Sequence, residues 1–343
     1  MLPSVSVATS TPLPLRGVAH RRGLIHVKAS LDQTRTEASR RRVTTRIADT
    51  DGIGKCQDND MPESRSAPDW DGRSYAKVSF YFAAHQDDWQ LFMNPSAFEA
   101  VSNAANKVAF VHVTAGDAGL GTGTGGRKQP LYLARENGAE AAIRFMADAD
   151  GFPVDQTAAR ASFNGHAIYR VSYRNTVTYF LRLPDGDGTG AGYPGTHYQS
   201  LKRLAGRDIE TLEAIDGSTV YGGWADLVAT VRAILDFERG PVSSVQLHVP
   251  ETDSRRNPDD HSDHLMTAKV ALDAASALAA RRVYHVGYAS AGLPENLSGR
   301  RRDMKCAVYA VALAGVLALD HRIAWPHYAE AFGGRTYFRV EEP

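Results

Sequence analysis

From residue 71 onward, apolar strand-like runs alternate with helical patterns, and this alternation limits the fold more than any other feature. Strands are predicted at 77–84, 107–114, 242–249 and 282–289, and helices at 130–147, 224–237, 261–280 and 301–319. Strands separated by helices form mainly parallel sheets that helices cover on both faces. We therefore predict an α/β fold with a mainly parallel, Rossmann-like sheet in a single domain, 71–343.

One segment departs from this alternation. Residues 169–183 alternate between apolar and polar types, which predicts an antiparallel hairpin that turns at Arg174 and Asn175. In open α/β sheets, ligands bind at the carboxyl ends of the strands. Functional residues are therefore expected just after the predicted parallel strands.

Residues 1–70 differ in composition from the rest. Residues 1–50 contain nine Lys or Arg and only three Asp or Glu, and they lack the apolar core of a signal peptide. This composition predicts a mostly disordered, basic leader. An organelle transit peptide has the same bias, and a dispensable tail is the simpler alternative.

Whole-chain charge and cysteine content limit the class of protein. Lys plus Arg and Asp plus Glu number 39 each, which gives no reason to expect nucleic acid or an anionic membrane as a partner. The longest apolar run, 306–319, is too short to span a bilayer, so no transmembrane segment is expected. The two cysteines provide no disulfide framework, which fits the cytoplasm. The oligomeric state stays open.

Two clusters of imidazoles and carboxylates follow predicted strands. His85, Asp87 and Asp88 come directly after the strand at 77–84, and His261 and His264 begin the helix that follows the strand at 242–249. His261 and His264 are three residues apart, so they share one helix face. Because both clusters follow strand ends, we expect them to converge.

The residue types fit a catalytic metal site. His85, Asp88 and His264 would give Zn²⁺ three ligands and leave its fourth position to water, whose pKa the ion lowers to about 7. Asp87 is placed to accept the proton of that water, and His261 to donate where negative charge develops. The simpler alternatives are ordinary surface or core histidines and aspartates that cap helices.

These clusters resemble the signatures of the N-acetylglucosaminyl-phosphatidylinositol de-N-acetylase family, the LmbE-like zinc deacetylases. The family has His-Pro-Asp-Asp after the first strand and His-Pro-Asp-His late in the chain. The resemblance extends over most of 77–310 and includes weaker matches, namely TAGDAG at 114–119, LARENGAEAAIRF at 133–145, RLPDGDG at 182–188 and PENLSG at 294–299.

The resemblance implies the same roles as residue chemistry does. His85, Asp88 and His264 would bind zinc, Asp87 would be the general base, and His261 would stabilise the oxyanion or protonate the leaving amine. The chain departs from the family at three positions, because Gln86 and Ser262 replace prolines and Trp89 replaces a glutamate. Trp89 would either change the surroundings of the metal or offer an aromatic platform to a sugar.

The implied function is hydrolysis of an acetamide on an N-acetylated amino sugar, a small glycoconjugate, with release of acetate and a free amine. Arg135 and Asp185 match family positions near the sugar, although Arg135 could also be a surface residue beside Glu136, and Asp185 a turn residue before Gly186. The alternatives are an amidase for another sugar-linked amide and a catalytically silent carbohydrate-binding protein of the same fold.

Two glycine-rich stretches allow other interpretations. The stretch 121–126, GTGTGG, contains a dinucleotide-binding pattern, but the acidic residue expected about 20 positions later falls in a predicted helix. A flexible active-site loop is the better interpretation. The stretch 185–198 is longer than a simple connection needs and is a candidate substrate lid.

Overall fold

The computed structural model describes residues 73–149, 151–322 and 325–343, which belong to one compact unit. The predicted leader, 1–70, lies outside these residues. The helices are α1 (Asp88–Phe92), α2 (Ser96–Val101), α3 (Leu131–Ala147), α4 (Leu201–Gly206), α5 (Trp224–Arg239), α6 (Ser262–Ala274), α7 (Gly299–Ala318) and α8 (Trp325–Phe332). In the described part of the chain, none of them is both long and apolar enough to cross a membrane.

Eight strands form one sheet in the order β10-β9-β8-β1-β2-β5-β4-β3. They are β1 (Lys77–Ala83), β2 (Asn106–Thr114), β3 (Thr157–Phe163), β4 (His166–Tyr173), β5 (Thr176–Leu183), β8 (Val245–Pro250), β9 (Arg281–His285) and β10 (Phe338–Glu341). A separate small hairpin pairs β6 (Leu212–Glu213) with β7 (Val220–Tyr221).

The five central strands are parallel and confirm the predicted Rossmann-like sheet. Numbered in chain order among themselves, β1, β2, β5, β8 and β9 lie in the spatial order 3-2-1-4-5. This is the doubly wound order. Successive strands are added toward one edge of the sheet from β1 to β5 and toward the other edge from β8 onward, so the switch point lies between β1 and β8. Ligands of such sheets bind beyond the carboxyl ends of the strands at this switch point.

Helices cover both faces because the buried strands present apolar side chains to both sides. In β1, Val78, Phe80 and Phe82 belong to a core shared with α4, α5 and α6. Tyr81 and Ala83 belong to the opposite core, which is shared with α1, α2, α3, α7 and α8. The alternation along a strand thus builds two layers of helix around one sheet.

The predicted elements are present, with differences at their ends. The helix predicted for 261–280 ends at Ala274, and the strand predicted for 282–289 ends at His285, before a 3₁₀ turn at Tyr288–Gly292. The hairpin is confirmed, because β4 and β5 are antiparallel and Arg174 adopts the left-handed conformation, with φ of 52°, in the turn between them. The short elements α1, α2, α4 and α8 and the edge strands β3 and β10 were not predicted.

Candidate metal centre

The structure brings the two predicted clusters together at the switch point. His85 and Asp88 follow β1, and His264 lies in the first turn of α6, after β8. All three side chains are buried, and each has a possible ligand atom within 4.8 Å of those of the other two. The simpler interpretation of separate surface histidines is therefore wrong for His85 and His264.

The distances between donor atoms suit a tetrahedral metal ion. The Oδ1 atom of Asp88 lies 3.1 Å from Nε2 of His264 and 3.6 Å from Nδ1 of His85. Two ligand atoms at the usual 2.0–2.1 Å from a tetrahedral zinc ion are roughly 3.3 Å apart. The other oxygen of Asp88 accepts a hydrogen bond from the backbone N–H of His85 at 2.7 Å, which fixes the carboxylate.

A second carboxylate orients His264 as it would a metal ligand. Its Nδ1 atom lies 3.0 Å from both oxygens of Asp260, so Nδ1 donates its hydrogen there and Nε2 faces Asp88. Asp260 in turn accepts a hydrogen bond of 2.6 Å from Asn257. Metal-binding histidines commonly have such a carboxylate partner. Asp260 is therefore not the helix cap that its position before α6 suggested.

The charges of the site call for a cation. Burial lowers the pKa of His85, but the carboxylates of Asp88, Asp263 and Asp185 outweigh it and raise the pKa to about 10. Burial likewise lowers the pKa of His264, and Asp88 and Asp260 raise it well above its usual value. Without a metal, the carboxylates hold protons on both imidazoles. A divalent cation would supply the same positive charge and leave the imidazoles neutral, as ligands must be.

A second group of donors lies on the other side of the His85 ring. His85, Asp185, His261 and Asp263 also have ligand atoms within 4.8 Å of one another. The donors of this group are further apart, because His85 Nε2 lies 3.5 Å from Asp263 and 3.9 Å from Asp185. These contacts favour the group of His85, Asp88 and His264 for the metal.

His261 caps α6 instead of lying within it. Its Nδ1 atom accepts the backbone N–H of Asp263 at 3.1 Å, so the proton of the neutral ring is on Nε2. That Nε2 lies 3.9 Å from Asp185, and the ring lies edge-on to His85 with centroids 4.7 Å apart. Burial, followed by the positive charge of His85, lowers the pKa of His261. His261 thus has an N–H group at the site.

Asp87 does not cap α1 with its side chain, although it occupies the cap position. Its carboxylate instead forms an ion pair with Arg135 of α3. Arg135 also donates to the Oε1 atom of Gln86 at 3.2 Å. Burial lowers the pKa of Arg135, but Asp87 and Asp88 outweigh it and raise the pKa. Arg135 therefore lies beside Asp87, the predicted general base.

Two departures from the family pattern have a structural explanation. The amide of Gln86 donates to the carbonyl oxygens of Thr114 and Ala115 at 3.2 and 3.1 Å, which ties the loop after β1 to the end of β2. The Trp89 side chain is 0% exposed, and its Nε1–H donates to His112 in the core. Trp89 therefore offers no platform to a sugar.

Several site residues were missed from sequence. Asp260 and Asn257 support His264, and Asp263 lies against His85, although none of the three was assigned a functional role from sequence. The ring of Tyr288, in the loop after β9, lies 5.2 Å from that of His264. The four-residue spacing between Asp260 and His264 was a usable signal for Asp260. The position of Tyr288 in the sequence gives no such signal, because only the fold places the loop after β9 beside His264.

Comparison with known proteins gives limited information. No protein-family model and no curated protein matches the sequence. Among solved structures, the chain is similar to N,N'-diacetylchitobiose deacetylase from Pyrococcus horikoshii, with 14% identity and a TM-score of 0.41 over 78% of this chain and 84% of that chain. A TM-score below 0.5 does not establish a common fold, so the fold class stated above depends on the strand order.

Proposed function

We propose that this protein is a zinc-dependent hydrolase that removes the acetyl group from an N-acetylated amino sugar. The single observation that supports it most is the convergence of His85, Asp88 and His264, whose donor atoms have separations that suit a tetrahedral ion. The resemblance of both clusters to the LmbE-like signatures suggests the sugar substrate. Two imidazoles and one carboxylate are a common ligand set for hydrolytic zinc, which supports zinc as the metal.

A bound Zn²⁺ would polarise the acetyl carbonyl and lower the pKa of the attacking water. Asp87, adjacent in sequence to Asp88, accepts the proton of that water. The Nε2–H of His261 donates a hydrogen bond to the oxyanion. Asp87 then passes the proton that it took from the water to the nitrogen of the leaving amine. Arg135 orients the Asp87 carboxylate through its ion pair. Water thus adds to the acyl carbon, the C–N bond breaks, and acetate and a free amine result.

The position of Asp185 supports a substrate site beside His85 and His261. Its backbone N–H donates to Asp117 at 3.0 Å, and its side chain accepts the N–H of Asp187, so the loop after β5 is held with Asp185 facing His85 and His261. A fixed carboxylate next to a proton donor can accept a hydrogen bond from a sugar hydroxyl. We propose Asp185 and Arg135 as substrate-binding residues.

The test is hydrolysis of N-acetylglucosamine derivatives, followed by detection of the free amine, with the zinc-loaded protein and after chelation. We expect turnover that chelation abolishes. Asp87→Asn should lower kcat by about 10²- to 10⁴-fold while the protein keeps its zinc, because only the proton acceptor is lost. Asp259→Asn, an exposed change next to the second cluster, is the control. Sugar binding without turnover at any pH would favour the silent binding protein.

A further inference from the structure

A cavity of about 170 Å³ begins at the proposed general base and extends away from the metal centre. Gln86, Asp87 and Arg135 form its polar end. Beyond them it runs between α3, α7 and α8. This part is lined mainly by aliphatic side chains and tyrosine rings, among them Leu131, Ala139, Leu313, Val316, Tyr309 and Tyr328. Gln90 and Arg322 add two further polar side chains to a lining that is otherwise apolar or aromatic.

The two sides of the metal centre differ in what they can accept. His261, the proposed donor to the oxyanion, lies beside Asp263 of α6 and near Asp185, the proposed sugar-binding residue. Asp87 lies on the side of α1 and α3, against Arg135. The acyl and amine substituents of an amide point away from each other across the carbonyl carbon. With the sugar held at Asp185, an acyl substituent that extends away from it lies on the side of Asp87 and the cavity.

An acetyl methyl group would leave most of this space unfilled. An apolar cavity of about 150 Å³ is large enough to hold a benzene molecule. A cavity of about 170 Å³ thus has room for a chain of roughly six carbons on the same comparison. Since hydrophobic contact grows with the apolar area buried, a longer saturated chain gains affinity here that acetyl cannot.

We propose that this cavity is an acyl pocket and that the preferred substrates are amino sugars N-acylated with a saturated chain of about four to six carbons. This inference rests on the proposed function, since it assumes amide hydrolysis at the metal centre. The same reaction then releases a short fatty acid in place of acetate, together with the same free amine.

The test compares N-acetyl-, N-butyryl- and N-hexanoylglucosamine with the zinc-loaded protein, with the free amine as the readout. We expect kcat/KM to be at least about tenfold higher for the hexanoyl than for the acetyl compound, because each methylene in a hydrophobic pocket changes kcat/KM by that order. Highest activity on the acetyl compound, with a decline as the chain lengthens, would overturn the acyl pocket alone. Release from none of the three would overturn the proposed function.

A matched pair of variants locates the effect in the cavity. Val316→Phe places a larger ring in the lining of the cavity, whereas Leu317→Phe changes the next residue of α7, which is 56% exposed and does not line it. We expect Val316→Phe to lower the ratio of hexanoyl to acetyl kcat/KM about tenfold and Leu317→Phe to leave the ratio unchanged. An equal ratio in both variants would overturn the assignment. Thermal unfolding of both variants checks that they fold.

Discussion

At the scale of single residues, the proposed metal centre depends on side chains that are not themselves proposed as ligands. Asp260 holds Nδ1 of His264, and this contact directs Nε2 toward Asp88. We expect Asp260→Asn to weaken zinc affinity about 10- to 100-fold, because a neutral amide orients and polarises the imidazole less. Zinc titration against a competing chelator measures the zinc affinity of the variant. Asp259→Asn, one residue earlier and exposed, should leave the affinity unchanged, and equal affinities in both variants would contradict this role.

A buried lysine gives a pH dependence of stability that is separate from the metal centre. The pKa of Lys305 is lowered to about 7, mainly by burial; Cys306 opposes this shift and Arg335 adds to it. In the unfolded chain a lysine keeps a pKa of about 10.4. Between these values the unfolded chain binds more protons, so the free energy of unfolding rises with pH by up to about 1.4 kcal/mol per unit.

Lys305→Met removes this contribution. We expect the unfolding free energy of the unmodified protein, relative to the variant, to increase between pH 6.5 and pH 9, as measured by urea titration at both values. Lys269→Met, at an exposed lysine of α6, is the control and should give the same difference at both pH values. A pH-independent difference for Lys305→Met would show that the buried amine does not titrate in this range.

At the scale of elements, α3 and α7 approach each other through glycines. A Cβ atom on Gly138 would lie 2.5 Å from the carbonyl oxygen of Ala312, and one on Gly315 would lie 2.7 Å from the Cα atom of Gly138. Gly138→Ala should therefore destabilise the protein by about 1–3 kcal/mol, although alanine has the higher helix propensity. Chemical denaturation measures it. Gly292→Ala, where a Cβ would meet nothing within 4 Å, is the control, and equal stability of both variants would contradict the close crossing.

Elements were predictable from sequence where burial imposes a period. The runs of β1 and β2 and the long helices α3, α5 and α7 carry continuous apolar or helical patterns. The edge strands β3 and β10 are only partly buried, and α1 and α4 have five and six residues, so their patterns are too weak or too short to detect. Helix ends such as that of α6 were misplaced because apolar residues continue past Ala274.

At the scale of the whole molecule, the strand order determines which residues meet. The sequence clusters at His85 and His264 could be predicted to converge because β1 and β8 were expected in one parallel sheet, and these strands are neighbours at the switch point. The partnership of Arg135 with Asp87 and the position of Tyr288 required the fold, because their contacts join α3 and the loop after β9 to the end of β1. Sequence distance gives no sign of either contact.

The central claim is that one divalent cation binds between His85, Asp88 and His264. Anomalous diffraction at the zinc edge, from crystals of the zinc-loaded protein, tests it most directly. The account predicts one strong peak within about 2.0–2.2 Å of a ligand atom of each of these three residues. A peak between His261, Asp185 and Asp263 instead, or no peak among the three residues at full zinc loading, would contradict it.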